Sequence, residues 1–230
     1  MIKKQLLTSN ITSLVILVFL FTNSCGLLGG EDKKKVGDEL MPLSVGNFWE
    51  YDFTYLGSIK DTLRYEVVKE IQVPWEDTSY TAYAFNLVPF PPDAPEYYWL
   101  YRNGEAGVYL MGGMAETDTL FKNEIDKSYT AEEGQTWDVP QLAFSRDSLK
   151  FYVSDTLSIT LIDTDRKVET PAGKFECYVY YFDLSIGDDL DKVDYYLYYS
   201  MGIGLIKQEE KSKFENRVIS DLTLIKHRIK

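Results

Sequence analysis

The sequence predicts an all-β fold: a strongly curved antiparallel meander, open or closed like a barrel, with a β-sandwich as the alternative. Three observations predict it. Apolar and polar residues alternate with a period of two along most of the chain, the pattern of strands with one buried face. Turn signals separate these runs at intervals of about 8–12 residues, the spacing of sequential hairpins. The chain holds 18 Tyr, 12 Phe and 4 Trp, and rings of this kind suit a half-buried pleated surface. Helical period is absent over any long stretch; the one helix-like piece is Asn123 to Glu133.

The elements follow in order. In Trp49 to Tyr55 the aromatic residues fall on one face and Glu50, Asp52 and Thr54 on the other. Leu63, Tyr65 and Val67 alternate with Arg64 and Glu66. Tyr83, Phe85 and Leu87 oppose Tyr80 and Ala82. The segment 89–95 (PFPPDAP) interrupts the pattern, because proline lacks the N–H a central strand must donate. Glu96 to Arg102 is aromatic on both faces, and Gly107 to Gly112 and Thr117 to Lys122 are short strands. Thr156 to Thr170 is long and rich in Ile, Leu, Val and Thr; Phe175, Cys177, Val179 and Tyr181 share a face of the next strand. Asp194 to Tyr199, Ile203 to Glu210 and Arg217 to Ile229 complete the series. Leu56-Gly57-Ser58, Asn103-Gly104, Pro171-Ala172-Gly173 and Gly187-Asp188-Asp189 supply turn chemistry between them.

The N-terminus has a different character. Lys3 and Lys4 precede an apolar run from Ile11 to Phe21, and Thr22, Asn23, Ser24 and Cys25 follow. A basic start, a short apolar stretch and small residues form a secretory signal peptide. The run is eleven residues long, short of the roughly 20 that span a bilayer as a helix. A cysteine at the cleavage point resembles a bacterial lipoprotein, in which that residue carries lipid; cleavage by ordinary signal peptidase after Thr22-x-Ser24 would leave Cys25 unmodified. The resemblance implies residues 1–24 as signal peptide, 25–37 as a lipidated tether and 38–230 as a single β-domain. Gly26, not Asp, resembles the choice that sends such proteins to the outer membrane, on its periplasmic or surface face. Two or more acyl chains hold a protein stably at a membrane.

Composition excludes some functions. The net charge is −12, and near −14 once the two leader lysines are gone. Such a chain has no electrostatic case for nucleic acid. The two cysteines are Cys25 and Cys177; a lipid on the first leaves the second without an intramolecular disulfide partner.

Three patterns carry a family resemblance: Pro42-Leu43-x-x-Gly46-Asn47-x-Trp49-x-Tyr51, Thr170-Pro171-Ala172-Gly173-x-Phe175-x-Cys177, and Tyr199-Ser200-x-Gly202-Ile203-Gly204-x-Ile206-Lys207. Gly107-Val108-Tyr109 and Gly134-Gln135-x-Trp137 add to them. In this order the chain resembles uncharacterised exported lipoproteins common in Bacteroidota. The resemblance implies an antiparallel β-domain of the cell envelope and no established chemistry. The motifs themselves are structural: turn residues that launch strands, and glycines that permit bulges or close strand approach.

Candidate reactive groups are few. His227, the one histidine, stands between Lys226 and Arg228, which disfavour a divalent metal. Cys177 lies on an apolar strand face beside Glu176, a setting for a buried structural thiol and not a nucleophile. Asp188, Asp189 and Asp191 form a weak candidate Ca²⁺ cluster that lacks EF-hand spacing and equally suits a solvated hairpin loop. No pair among the 36 acidic residues is singled out for hydrolysis by spacing. No catalytic set and no cofactor is expected. The aromatic residues are the remaining lead: Tyr97, Trp99 and Tyr101 on one strand, and Tyr196 and Tyr198 on another, exceed the needs of a one-sided core and suit an apolar or glycan ligand. The expected function is therefore a lipid-anchored envelope module that binds such a ligand or a partner protein. The alternatives are a carboxylate-dependent hydrolase and a structural lipoprotein docked on an outer-membrane assembly.

Overall fold

A computed structural model describes residues 39–88, 96–116, 118–145, 148, 150–184 and 193–230. The signal segment, Cys25, the tether, the proline segment 89–95 and the aspartate cluster at 188–191 lie outside the described residues.

Twelve strands build one sheet: β1 (Phe48–Tyr55), β2 (Ile59–Trp75), β3 (Thr78–Val88), β4 (Tyr97–Asn103), β5 (Gly107–Ala115), β6 (Thr119–Ser128), β7 (Thr136–Ser145), β8 (Lys150–Thr170), β9 (Gly173–Leu184), β10 (Val193–Ser200), β11 (Gly204–Ser212) and β12 (Arg217–Arg228). The described residues contain no helix. Every ladder is antiparallel, and sequential strands pair except at one point. First and last strands pair with each other, so the order runs β6-β5-β4-β3-β2-β1-β12-β11-β10-β9-β8-β7. This is the curved meander the alternation implies, in one continuous sheet and not two stacked ones.

The curvature has identifiable causes. Register shifts interrupt the ladders near Tyr51, Val67, Leu100, Val108, Leu110, Gln141, Leu161, Tyr198 and Glu210. Each shift bends the strand and deepens its right-handed twist. The accumulated bend curls the sheet until its β6 edge comes against β8, beside the other edge strand β7. No ladder joins these edges among the described residues. Side chains close the seam instead. Tyr97 of β4 stacks on Phe144 of β7 with ring centroids 4.5 Å apart, and Trp99 meets Phe151 of β8 edge-on at 5.2 Å. The Phe151 N–H donates to Asp118 Oδ2 at 2.9 Å, and the Tyr180 hydroxyl donates to the Ser128 carbonyl at 3.0 Å. Gly113 permits the approach: a Cβ there would lie 2.3 Å from the Phe151 ring.

One end of the barrel is plugged by the chain before β1. Leu40, Met41 and Leu43 are buried in the core. Asn103 Nδ2 holds this segment by donating to Glu39 Oε2 and the Met41 carbonyl, and the Gly202 N–H donates to the Glu39 carbonyl. The turn before β1 is locked by Asn47, whose side chain donates to the Pro42 carbonyl at 2.8 Å. Gly204 opens β11 with φ of +101°, and a Cβ on it would crowd the Trp49 indole at 3.3 Å. Trp49 in turn donates its indole N–H to the Ile203 carbonyl. Gly204 of the Gly202-Ile203-Gly204 motif thus serves close approach, Gly202 takes a positive φ of +73° in the β10–β11 turn, and Pro171-Ala172 forms the β8–β9 turn.

Two parts of the sequence reading need correction. Asn123 to Glu133 is not helical: its first half belongs to β6. Val108 opposes Lys127 while Tyr109 opposes Ile125, so Asp126 is an extra, bulged residue. Ile125, Asp126 and Lys127 are consequently all buried, which destroys the period of two. Strand β7 was hidden because Pro140 and Gln141 interrupt its alternation; Pro140 is tolerated since β7 is an edge strand.

Replacing Gly113 with alanine pushes the Phe151 ring out of its place between Trp99, Tyr97 and Phe144. The expected cost is about 1–3 kcal/mol, the usual range for overpacking, read as a lowered urea midpoint. An unchanged midpoint would mean that the seam tolerates rearrangement at this contact.

Candidate functional site

The inside of the curled sheet is the candidate site, because two of its walls carry the aromatic residues that the sequence singles out. Tyr97, Trp99 and Tyr101 alternate along β4 and all point inward, 6%, 7% and 1% exposed. They meet rings from other strands: Phe85 lies 6.0 Å from Tyr101 and 5.7 Å from Tyr65, and Tyr65 contacts Tyr51 edge-on. Across the barrel, Trp137, Tyr180 and Tyr199 form a chain of edge-on contacts, and Phe182 stacks on Tyr195 at 4.8 Å.

Tyr196 and Tyr198 are not part of this interior. In β10 the buried residues are Val193, Tyr195, Leu197 and Tyr199, so the intervening tyrosines face outward. Tyr198 donates to Glu209 Oε2 at 2.9 Å, and Lys211 sits 4.6 Å over the Tyr196 ring. The five aromatic residues therefore occupy two opposite faces of the sheet and do not converge.

Rings that carry hydroxyls bring polar atoms inside, and these need partners. Toward the plugged end, Tyr51 donates to the Leu205 carbonyl at 2.9 Å and Tyr180 to Ser128. The β6 bulge adds a buried ion pair, Lys127 Nζ to Asp126 Oδ1 at 2.8 Å, with side chains 2% and 1% exposed. Lys127 also lies 4.7 Å over the Tyr199 ring. Burial pushes the Asp126 carboxyl well up and the Lys127 amine down to about 7, while their mutual attraction opposes both shifts. One proton serves the two atoms, and the pair is neutral overall whichever atom holds it. Burial, followed by the field of Asp126, raises the hydroxyls of Tyr101, Tyr180 and Tyr199. These phenols stay protonated at neutral pH and cannot act as bases.

Toward the other end lies a second polar group. Glu210, Gln208, Ser212 and Ser220 are 2% exposed or less, and Tyr195 is 1% exposed. Gln208 Nε2 donates to Glu210 Oε1 at 3.1 Å. Burial raises the Glu210 carboxyl to about 7, against the stabilising neighbours Tyr195, Gln208 and Ser220. Glu210 also raises Tyr65, after burial and Tyr97.

The reactive groups weighed from the sequence fall elsewhere. Cys177 is fully buried, and burial with the nearby Glu176 lifts its thiol to about 12, so no thiolate is present near neutrality. His227 is half-buried and lies 6.4 Å from the Phe175 ring, and desolvation lowers its pKa. Among the described residues no three His, Cys, Asp or Glu side chains are grouped to hold a metal. The sequence reading missed Asp126, Lys127 and Glu210. A broken alternation around Asp126 was the available signal for the first two; Glu210 sits at a regular inward position of β11, where an acid is the anomaly.

A family model described as DUF3108-like matches residues 156–224, from β8 to β12. The Thr170–Cys177 and Tyr199–Lys207 motifs both lie within the matched residues. Two solved structures are similar to the chain. One is a protein from Parabacteroides distasonis provisionally assigned as a lipoprotein, 13% identical, covering 84% of this chain and 100% of that one, with a TM-score of 0.44. The other is a protein from Bacteroides fragilis provisionally assigned as exported, with a YmcC-like fold, 11% identical, covering 82% of this chain and 98% of that one, with a TM-score of 0.47. No curated protein matches the chain.

Two predictions follow from the buried charges. Lys127→Met leaves a buried carboxyl without its cation and is expected to destabilise by about 3–5 kcal/mol, whereas Asp126→Leu/Lys127→Met recovers most of that loss. A double-mutant cycle in urea measures both; equal losses in the single and double variants would contradict the pairing. For Glu210, the folded protein binds a proton that the unfolded chain, with an ordinary value of 4.5, releases between about pH 4.5 and 7. Stability therefore falls as pH rises through that window, by up to about 3 kcal/mol. In Glu210→Gln the difference between urea midpoints at pH 5 and pH 8 shrinks; a difference identical to wild type would show that Glu210 titrates normally.

Proposed function

We propose that this chain is a lipid-anchored protein of the bacterial cell envelope that binds an apolar ligand inside its curled sheet, without catalysing a reaction. Residues 1–24 would be removed, Cys25 would carry the lipid that fixes the protein at the outer membrane, residues 25–37 would act as tether, and residues 38–230 would bind. The observation that carries the reading is the seam. The two ends of the sheet are held by ring contacts from β4 to β7 and β8 and by hydrogen bonds from β8 and β9 to Asp118 and Ser128, with no strand ladder between the edges β6 and β7 among the described residues. Separating them exposes the aromatic interior while leaving every ladder of the sheet intact. An apolar ligand entering there replaces ring contacts with contacts of the same kind, at little cost in hydrogen bonding.

A non-catalytic role is supported by the state of the interior groups: the buried phenols and the thiol are held protonated, and each interior carboxyl has its own surroundings, Asp126 with Lys127 and Glu210 with Gln208, Tyr195 and Ser220. The hydrolase alternative would need two carboxylates facing one substrate bond.

A second reading, docking on an envelope assembly, rests on the outer face of β2 to β6. Val73, Ala82, Ala84, Leu100 and Met111 form a buried apolar cluster there, edged by half-buried Tyr80, Tyr98 and Tyr109. Arg102 lies 4.3 Å and 3.8 Å from the Tyr80 and Tyr109 rings and roofs this cluster from within the same chain. The interior reading is favoured because the outer cluster already has this cover.

The test is native mass spectrometry of the protein taken from its own envelope. A co-purifying small mass is expected, weakened or lost in Trp99→Leu, with circular dichroism confirming that the variant is folded. A bare protein mass that also fails to take up added alkyl chains would overturn the interior-binding reading.

A further inference from the structure

The interior is not uniformly apolar, and its polarity is placed unevenly. On β10, β11 and β12, Tyr195, Gln208, Glu210 and Ser220 converge at the end opposite the Leu40–Leu43 plug. Glu210 Oε1 accepts from Gln208, and the hydroxyls of Tyr195 and Ser220 stand close enough to stabilise the carboxylate, yet Glu210 Oε2, Gln208 Oε1 and the Tyr195 hydroxyl are buried without a well-formed hydrogen bond. Two of these three atoms are pure acceptors unless the carboxyl is protonated. Buried acceptors without donors are destabilising, by about 1–3 kcal/mol each and more for a charged group. Leucine at position 210 would fill the same space without that cost.

We propose that Glu210, with Gln208 and Tyr195, is the head-group end of the ligand site, and that the ligand is an amphiphile whose apolar chain carries an ammonium group. This inference rests on the interior-binding reading and deepens it. The chemistry is direct. An ammonium has three N–H donors and no acceptor, the complement of the Glu210 and Gln208 oxygens. It neutralises the carboxylate, so that a charge-assisted hydrogen bond adds to the neutral donors that hold this buried group. The stacked rings of Phe182 and Tyr195 stand beside it, 4.8 Å apart, and such rings favour cations. The apolar chain would lie on Tyr97, Phe144 and Phe151, which close the seam. The net charge of −12 also attracts cations and repels anionic amphiphiles.

The test compares three probes of equal chain length, dodecylamine, dodecanol and dodecanoate, bound to the full-length protein below their aggregation concentrations and followed by tryptophan fluorescence and native mass spectrometry. The amine is expected to bind at least about tenfold more tightly than the alcohol, and the acid most weakly. In Glu210→Gln, which keeps shape and a hydrogen-bonding end, the amine should lose about that tenfold advantage while the alcohol binds as before. Urea unfolding establishes that the variant is folded, and Gln208→Leu provides an independent variant with the same expected direction. Equal binding of the three probes, or an amine preference untouched in Glu210→Gln, overturns the head-group assignment and leaves the interior-binding reading standing. Failure of all three probes to bind overturns both.

Discussion

The need to fill a wide interior governs this protein. Eight strands make a barrel that side chains just fill. Twelve strands curled into one sheet enclose more width, and aliphatic residues do not reach across it. The chain answers with rings: Trp49, Tyr51, Tyr65, Phe85, Tyr97, Trp99, Tyr101, Trp137, Tyr180, Tyr195 and Tyr199 all point inward and are nearly fully buried. The polar interior follows from that choice. Every buried tyrosine hydroxyl and indole N–H asks for a partner, and the fold supplies backbone carbonyls at Ile203, Leu205 and Ser128. The field of the buried Asp126 reaches three of these phenols.

Much of this was legible in the sequence, residue by residue. Trp49-x-Tyr51-x-Phe53 and Tyr97-x-Trp99-x-Tyr101 declare their inward faces by alternation alone, and Gly204 declares a close approach that turns out to be the Trp49 indole. What was illegible has physical causes. Alternation gives two faces to each strand without saying which face of one strand continues which face of another. Tyr196 and Tyr198 therefore looked equivalent to Tyr97 and Trp99, although register places them outside. The Asp126 bulge erased the period that would have extended the Thr117–Lys122 strand through the second half of β6. The pairing of β1 with β12 joins residues nearly the whole chain apart, Phe48 with Arg228, and no local pattern carries that information.

Closure by side chains has a consequence for how the molecule can work. The β1–β12 ladder fixes the first and last strands, and the Leu40–Leu43 segment plugs one end, so neither is a route to the interior. The seam between the two ends of the sheet differs in kind: it is held by Tyr97, Trp99, Phe144 and Phe151, by Asp118 and by the Tyr180 hydroxyl. Those interactions are individually modest and can be exchanged for equivalent ones with a ligand. The same rings that fill the barrel thus also form its gate, and Glu210 beyond them gives the interior a direction. On the outside, Arg102 between Tyr80 and Tyr109 covers the apolar residues of β2 to β5.

The most direct test of the central claim is residue-resolved amide hydrogen exchange. The account predicts strong protection throughout β1 and β12, whose ladder is continuous, and fast exchange at the alternate amides of β6 and β7 that face the seam. Uniform protection of β6 and β7 at the level of β1 and β12 would contradict it, because it would require a backbone ladder between the two edges and a barrel closed on all sides.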